Sequence, residues 1–274
     1  MRLILIRHAE PDYVRDSLTE KGWREAELLS ERVSGWDVTE FFCSPLGRAK
    51  DTASKTLKKM NRTAVTADWL SEFSCQVKNP VTGQMTSPWE YIPSDWTSDP
   101  LMYDSEAWTN SEICSSNPEV GRKYRLICRE MDRMLETYGY IRDKNIYRVR
   151  GKKEQYIIHT PAPDEPEKME MLPEGNEPCI VIFAHFGVIS SILSHLLNIP
   201  FVLLAHAAFF PASSVTVLSA EERWGNEAYF RAQCTGDVHH LLAGGEPISP
   251  AGSFVKPFQA IPAQRISRIG AVAK

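Results

Sequence analysis

The side chains with the most chemical capacity sit at the ends of short apolar runs. Leu3-Ile4-Leu5-Ile6 is followed at once by Arg7-His8-Ala9-Glu10 and Pro11. Phe41-Phe42-Cys43 runs into Ser44-Pro45-Leu46-Gly47-Arg48, and Cys179–Ala184 into His185-Phe186-Gly187. A guanidinium grips phosphate oxygens bidentately, and an imidazole can serve as base, acid or nucleophile. Two arginines, two histidines and helix N-termini gathered at one place would form an anion pocket. Such donors suit an oxygen-rich, five-coordinate phosphorus better than a carbonyl. Taken alone, Arg7-His8 reads as a surface pair behind a core strand. The repetition at three strand ends is what favours chemistry.

Those residues need elements to hold them. Leu3–Ile6 and Cys179–Ala184 are continuous apolar runs, as expected of strands buried on both faces of a parallel sheet. Open α/β sheets bind their ligands beyond the carboxyl ends of such strands. Thr19 is placed to cap a helix carrying Trp23, Ala26, Leu29 and Val33 at helical spacing, and Glu20 suits its first turn. A second helix carries Ala49, Thr52, Ala53, Thr56, Leu57 and Met60 and stops near Asn61. A third strand is expected over Ala64 to Ala67, with Leu70-Ser71-Glu72-Phe73 beyond it. Asn117-Pro118-Glu119 opens a long helix.

The pattern lapses from about 74 to 117, where prolines and Trp89, Trp96 and Trp108 interrupt it; long irregular segments inside a domain are more often functional than accidental. Those tryptophans read equally as packing and as walls of a substrate pocket. Ile146–Arg150 and Gln155–His159 resemble a hairpin, followed by a Pro- and Glu-rich link to 178. The organisation expected is one three-layer α/β/α sandwich over 1–241 with a mostly parallel central sheet. Segments 74–117 and 146–178 would be cap insertions, and 242–274 an extended tail.

The totals narrow the class. Among 274 residues the net charge is −4, without the basic excess that nucleic-acid binding calls for. Six cysteines are scattered without zinc-type spacing, which reads as a reducing cytoplasm. No stretch approaches the length of a membrane span. His159, His195 and His206 read as structural, and His239-His240 as solvated or packed. Walker A, GxGxxG, HExxH and GxSxG patterns do not occur, so those chemistries have no support.

Arg7-His8-Ala9-Glu10, Leu18-Thr19 with Gly22, Ser44-Pro45 with Arg48 and Thr52, and Ala184-His185 with Gly187 together resemble the histidine phosphatase superfamily. Its members include the cofactor-dependent phosphoglycerate mutases and many phosphatases. Gly236–Leu241 is similar to that family's closing segment; the middle of the chain matches no motif. The resemblance implies a phosphoglycerate mutase-like fold in which His8 becomes a phosphohistidine. It implies that Arg7, Arg48 and His185 bind the phosphoryl group, with the Phe186 amide assisting. Glu72 would protonate the leaving oxygen and then activate water, with Asp68 a nearby rival. No metal or other cofactor is implied.

Two departures bear on the reaction. Ala9 stands where glycine is commonest. Pro11-Asp12-Tyr13 stands where the mutase signature has Ser or Thr and then Asn to hold a phosphorylated acid. The expected function is therefore metal-independent hydrolysis of a small phosphomonoester. A phosphomutase is the alternative, and an idle phospho-ligand or protein-binding module a third reading, against which the five intact residues speak. The expected partner is a small phosphorylated substrate, with neither nucleic acid nor membrane; a homodimer stays open.

Overall fold

A computed structural model describes residues 1–151, 177–222 and 226–258. The chain begins with β1 (Arg2–Arg7), α1 (Glu20–Val33), β2 (Glu40–Cys43), α2 (Gly47–Met60) and β3 (Val65–Thr66). After the insert come α3 (Glu119–Thr137), β4 (Tyr140–Asp143) and β5 (Ile146–Val149). The last third holds β6 (Cys179–Ala184), α4 (Phe186–Leu197), α5 (Phe201–Ala207), β7 (Val215–Glu221), β8 (Glu227–Asp237) and α6 (His239–Ala243).

These strands form one eight-stranded sheet in the order β3-β2-β6-β1-β7-β8-β5-β4. β3, β2, β6 and β1 run parallel, with Arg7 opposite Ala184 in the β1–β6 register. From β7 outward the neighbours alternate in direction. Alternation along a strand sends successive side chains to opposite faces, and β1 shows why its run is wholly apolar. Leu3 and Leu5 enter a core with Ile127, Met131 and Ile192 of α3 and α4. Ile4 and Ile6 enter another with Leu29, Val33, Ala49 and Ala53 of α1 and α2. Helices thus cover both faces, and the fold is a three-layer α/β/α sandwich with a mostly parallel central sheet. Among the described residues no helix is long and apolar enough to cross a membrane. All six cysteines are free thiols.

Three expectations need correction. Residues 146–149 are not part of a cap, because β5 lies inside the sheet between β8 and β4. It pairs with the preceding strand through a turn at Lys144 (φ 53°); Gln155–His159, the other half of the expected hairpin, lie outside the described residues. Burial explains the choice: Tyr147 is 1% exposed and meets Phe230 edge-on at 5.3 Å, so β5 needs the sheet on both sides.

The tail does not leave the molecule at 242 either. Ser249 is fully buried and donates to Glu10 Oε2 at 2.6 Å, and Lys21 pairs with Glu246 at 2.6 Å. Residues 259–274 lie outside the described ones. Finally, the insert 74–117 is built of short helical turns and a two-stranded ribbon whose Val77, Tyr91, Met102, Trp108 and Ile113 join the α3–α4 core.

Candidate active site

β1 delivers Arg7 and His8 to the rim of the sheet, and both are nearly inaccessible, at 4% and 2% exposed. The backbone there is held on two sides, since the His8 N–H donates to Ala184 O and Ser213 N–H donates to His8 O, each at 3.0 Å. His8 Nδ1 lies 2.8 Å from Ala9 O. A carbonyl can only accept, so Nδ1 carries the proton and Nε2 keeps its lone pair. Burial and then the charge on Arg7 lower the imidazole to about 3, against the opposing pull of the Ala9 carbonyl. His8 is therefore a neutral base or nucleophile at physiological pH. Arg7 Nη1 donates to Phe210 O at 2.6 Å, and its guanidinium lies 5.6 Å from the Phe186 ring.

Glu10 locks the loop behind His8. Its N–H donates to Glu25 Oε2 at 2.8 Å, and its Oε1 accepts from Thr19 Oγ1 at 2.9 Å. Thr19 also caps α1, accepting from Gly22 N–H at 3.0 Å. A Cβ on Gly22 would lie 2.2 Å from Glu10 O, so close backbone approach requires glycine here.

Arg48 enters in the first turn of α2. Its backbone carbonyl accepts from Thr52 Oγ1, whose oxygen in turn accepts from Ala9 N–H at 2.9 Å. Its side chain donates through Nη1 to Asp16 Oδ1 at 2.6 Å, and Asp16 Oδ2 accepts from Gly47 N–H at 2.6 Å. Partial burial works against ionisation of Asp16, but these donors outweigh it and hold the carboxyl below its ordinary value.

His185 follows β6 directly, at the N-cap of α4, and is fully buried, with its ring centroid 5.1 Å from that of His8. Ser44 Oγ accepts from Leu46 N–H and meets His185 Nε2 at 2.7 Å. In the tautomer where the Ser44 hydroxyl donates to Nε2, the imidazole proton sits on Nδ1. Burial and then His8, Arg48 and Arg7 push the imidazole well below its ordinary value. Phe186 opens α4, so its N–H has no acceptor within the helix.

The next amide, Gly187 N–H, donates to Glu72 Oε2 at 3.1 Å, and Phe73 N–H to Glu72 Oε1 at 3.0 Å. Burial raises the Glu72 carboxyl despite these donors and the fields of Arg7 and Arg48. Asp68, the rival, is exposed on a helical turn further back.

Trp89 closes the Glu72 side. A Cβ on Gly187 would meet the Trp89 ring at 2.5 Å and Glu72 Oε1 at 2.7 Å, so indole, helix end and carboxylate are in mutual contact. Trp96 instead stacks on His206 at 5.0 Å, and Trp108 is fully buried against Phe201 at 4.6 Å.

Arg7, His8, Arg48, Glu72 and His185 thus share one electrostatic field. Three of their buried atoms find no partner among the described residues: Arg7 Nε, Arg48 Nε and His185 Nδ1. Buried donors are almost always satisfied; the two arginine Nε groups are donors in any state and His185 Nδ1 is one in the tautomer just described, an arrangement that can receive an anion. No group of three or more His, Cys, Asp or Glu among the described residues could hold a metal ion.

Sequence reasoning missed Asp16, which no motif distinguishes from a solvated turn acid. It also missed Lys123 of α3, whose charge reaches Glu72 and His185. His240 belongs to the supporting shell, with Nε2 3.0 Å from the hydroxyl of the Ser213 that binds His8 O.

A family profile described as the histidine phosphatase superfamily (branch 1) matches residues 3–111. The chain is 38% identical over 79 residues to a 2,3-bisphosphoglycerate-dependent phosphoglycerate mutase of Thermoplasma acidophilum. That stretch is 25% of this chain and 40% of the relative, so less than half of the mutase is matched. Among solved structures, a mycobacterial glucosyl-3-phosphoglycerate phosphatase aligns over 86% of this chain and 99% of its own, with TM-score 0.52 and 17% identity. A phosphoserine phosphatase of Entamoeba histolytica aligns over 88% and 98%, with TM-score 0.52 and 15% identity. The two structural likenesses show the fold, and the profile and the curated relative match only part of the chain. Over residues 3–111 the chain is similar to the histidine phosphatase superfamily (branch 1), and over most of its length it shares the fold of phosphatases with the same architecture.

Proposed function

We propose that the chain is a metal-independent phosphomonoesterase working through a phosphohistidine on His8. The observation that carries this is the convergence of three unpartnered buried donors beside a neutral imidazole with a free Nε2. In the first step His8 Nε2 attacks phosphorus and the ester P–O bond breaks. The proton held on Glu72 passes to the leaving alkoxide. In the second, the Glu72 carboxylate takes a proton from water as its oxygen attacks phosphorus. The P–N bond breaks and inorganic phosphate leaves. Arg7, Arg48, His185 and the Phe186 amide neutralise charge on the equatorial oxygens in both steps.

A second reading is supported by the mutase relative: a phosphomutase would return the phosphoryl group to the substrate instead of passing it to water. The stretch Pro11–Asp16 favours hydrolysis, because it sets the Asp16 carboxylate rather than neutral amide and hydroxyl groups beside Arg48. Two similarly folded neighbours carry phosphatase names, which agrees with that preference. The six free, scattered cysteines support a reducing compartment.

Phosphate release from a panel of sugar, nucleotide, carboxylic-acid and phosphopeptide esters, with and without chelator, tests the proposal. Stoichiometric free phosphate, unaffected by chelator and inhibited by vanadate, is the expected result. Phosphate that moves within the substrate without release would select the mutase reading, and activity restored by one divalent ion would overturn metal independence.

A further inference from the structure

The turn between β1 and α1 is built in a way that the reaction just described does not use. Asp12 Oδ1 accepts from Val14 N–H and Arg15 N–H, folding the chain back on itself. Asp16 is then held at φ 48°, a left-handed conformation that non-glycine residues seldom adopt. The turn lands on the start of α2, where a Cβ on Gly47 would lie 2.0 Å from Asp16 O. Its carboxylate engages Gly47 N–H through Oδ2 and Arg48 Nη1 through Oδ1, both at 2.6 Å. Tyr13 faces the same guanidinium at 5.4 Å.

A guanidinium presents two forked edges. With Nη1 committed to Asp16, the edge carrying Nε remains, and Arg48 Nε is one of the three unpartnered buried donors. Asp16 is 44% exposed, whereas Arg48 is 11% exposed, so the acid stands outside the pocket and holds the base that faces in. We infer that Asp16 is a positioning residue: it fixes Arg48 in advance, so that the Nε edge meets the phosphoryl group without further ordering of the side chain. Preorganisation of this kind acts on every tetrahedral oxyanion that enters the site, substrate or inhibitor. The inference rests on the reading of Arg48 as a phosphoryl ligand.

Loss of one charge-assisted hydrogen bond of this sort should cost about tenfold in anion affinity. The test measures competitive inhibition by inorganic phosphate and by vanadate, with KM and kcat for p-nitrophenyl phosphate. Asp16→Ala should weaken both inhibitors and raise KM about tenfold with a smaller change in kcat. Asp16→Asn, which keeps an acceptor and is the variant to rely on if Ala folds poorly, should recover most of that loss. In an Arg48→Ala background Asp16→Ala should add nothing, because it acts through the absent side chain. An equal loss in both backgrounds would make Asp16 a cap for α2 only and overturn the inference, as would unchanged inhibition in Asp16→Ala. If Arg48→Ala itself leaves phosphate inhibition unchanged, the reading of Arg48 fails, whatever Asp16 does.

Discussion

Protonation decides what each side chain in the pocket can do. His8 at about 3 is neutral through the working range, so the acid limb of a pH–rate profile belongs to another group. Glu72 is raised by burial, which favours the protonated form that a general acid needs. As pH rises through its folded value that proton is lost and the first step slows. Glu72→Gln should therefore slow phosphohistidine formation about 10²–10⁴-fold with an alkyl phosphate and only mildly with p-nitrophenyl phosphate. Single-turnover rates are needed, since the same change removes the base of the second step. Equal losses on both substrates would remove Glu72 from the acid's role. Arg7-His8 was legible because a fully apolar run ends there in two functional types. Asp16 was not, because its meaning lies in landing beside Arg48, thirty-odd positions away in sequence.

Elements convert these residues into a site through a few close approaches. Gly22 lets α1 press against the Glu10 carbonyl, so Gly22→Ala must shift backbone rather than a side-chain tip. We expect a loss of about 1–3 kcal/mol, read from urea unfolding, with activity falling as the loop behind His8 moves. An unchanged midpoint would show that the approach is looser than 2.2 Å implies. The insert separates its tryptophans by task. Trp89→Ala should re-rank substrates by their leaving group while a small aryl phosphate is still hydrolysed; Trp96→Ala should leave the ranking alone and lower stability. The reverse pattern would move the pocket wall to Trp96. The helices over 20–33 and 47–60 were readable from cap and stripe, and Asn61 ends α2 in the left-handed conformation its type favours. β5 was misread because a polar turn followed by a second branched run looks like a hairpin in either direction. Only burial of Tyr147 against β8 decides it.

At the scale of the molecule, the chain holds several histidines neutral at a cost in acid. His8 is lowered to about 3 and His240 to about 4 from an ordinary 6.5, and His185 also lies well below that value. Below pH 6.5 the unfolded chain takes up protons that the folded one refuses, so stability falls as pH drops towards about 4 for His240. Glu25 and Glu72, both raised, act in the opposite sense: their contribution is present below 4.5 and is lost as pH rises. The His240 share can be isolated. His240→Gln should flatten the dependence by about 1 kcal/mol per pH unit between pH 6 and 5, about 2–4 °C in Tm. Parallel curves for the two proteins would contradict it. The sandwich was readable because its central strands are apolar throughout. The packed insert and the returning tail were not, since both are fixed by contacts distant in sequence, such as Ser249 with Glu10. The most direct test of the account is to quench the enzyme within milliseconds of adding labelled substrate, denature it at neutral or alkaline pH, and map the label. The account predicts phosphate on His8 and none in His8→Ala, which should also be inactive. Label on another residue, or near wild-type turnover in His8→Ala, would contradict it.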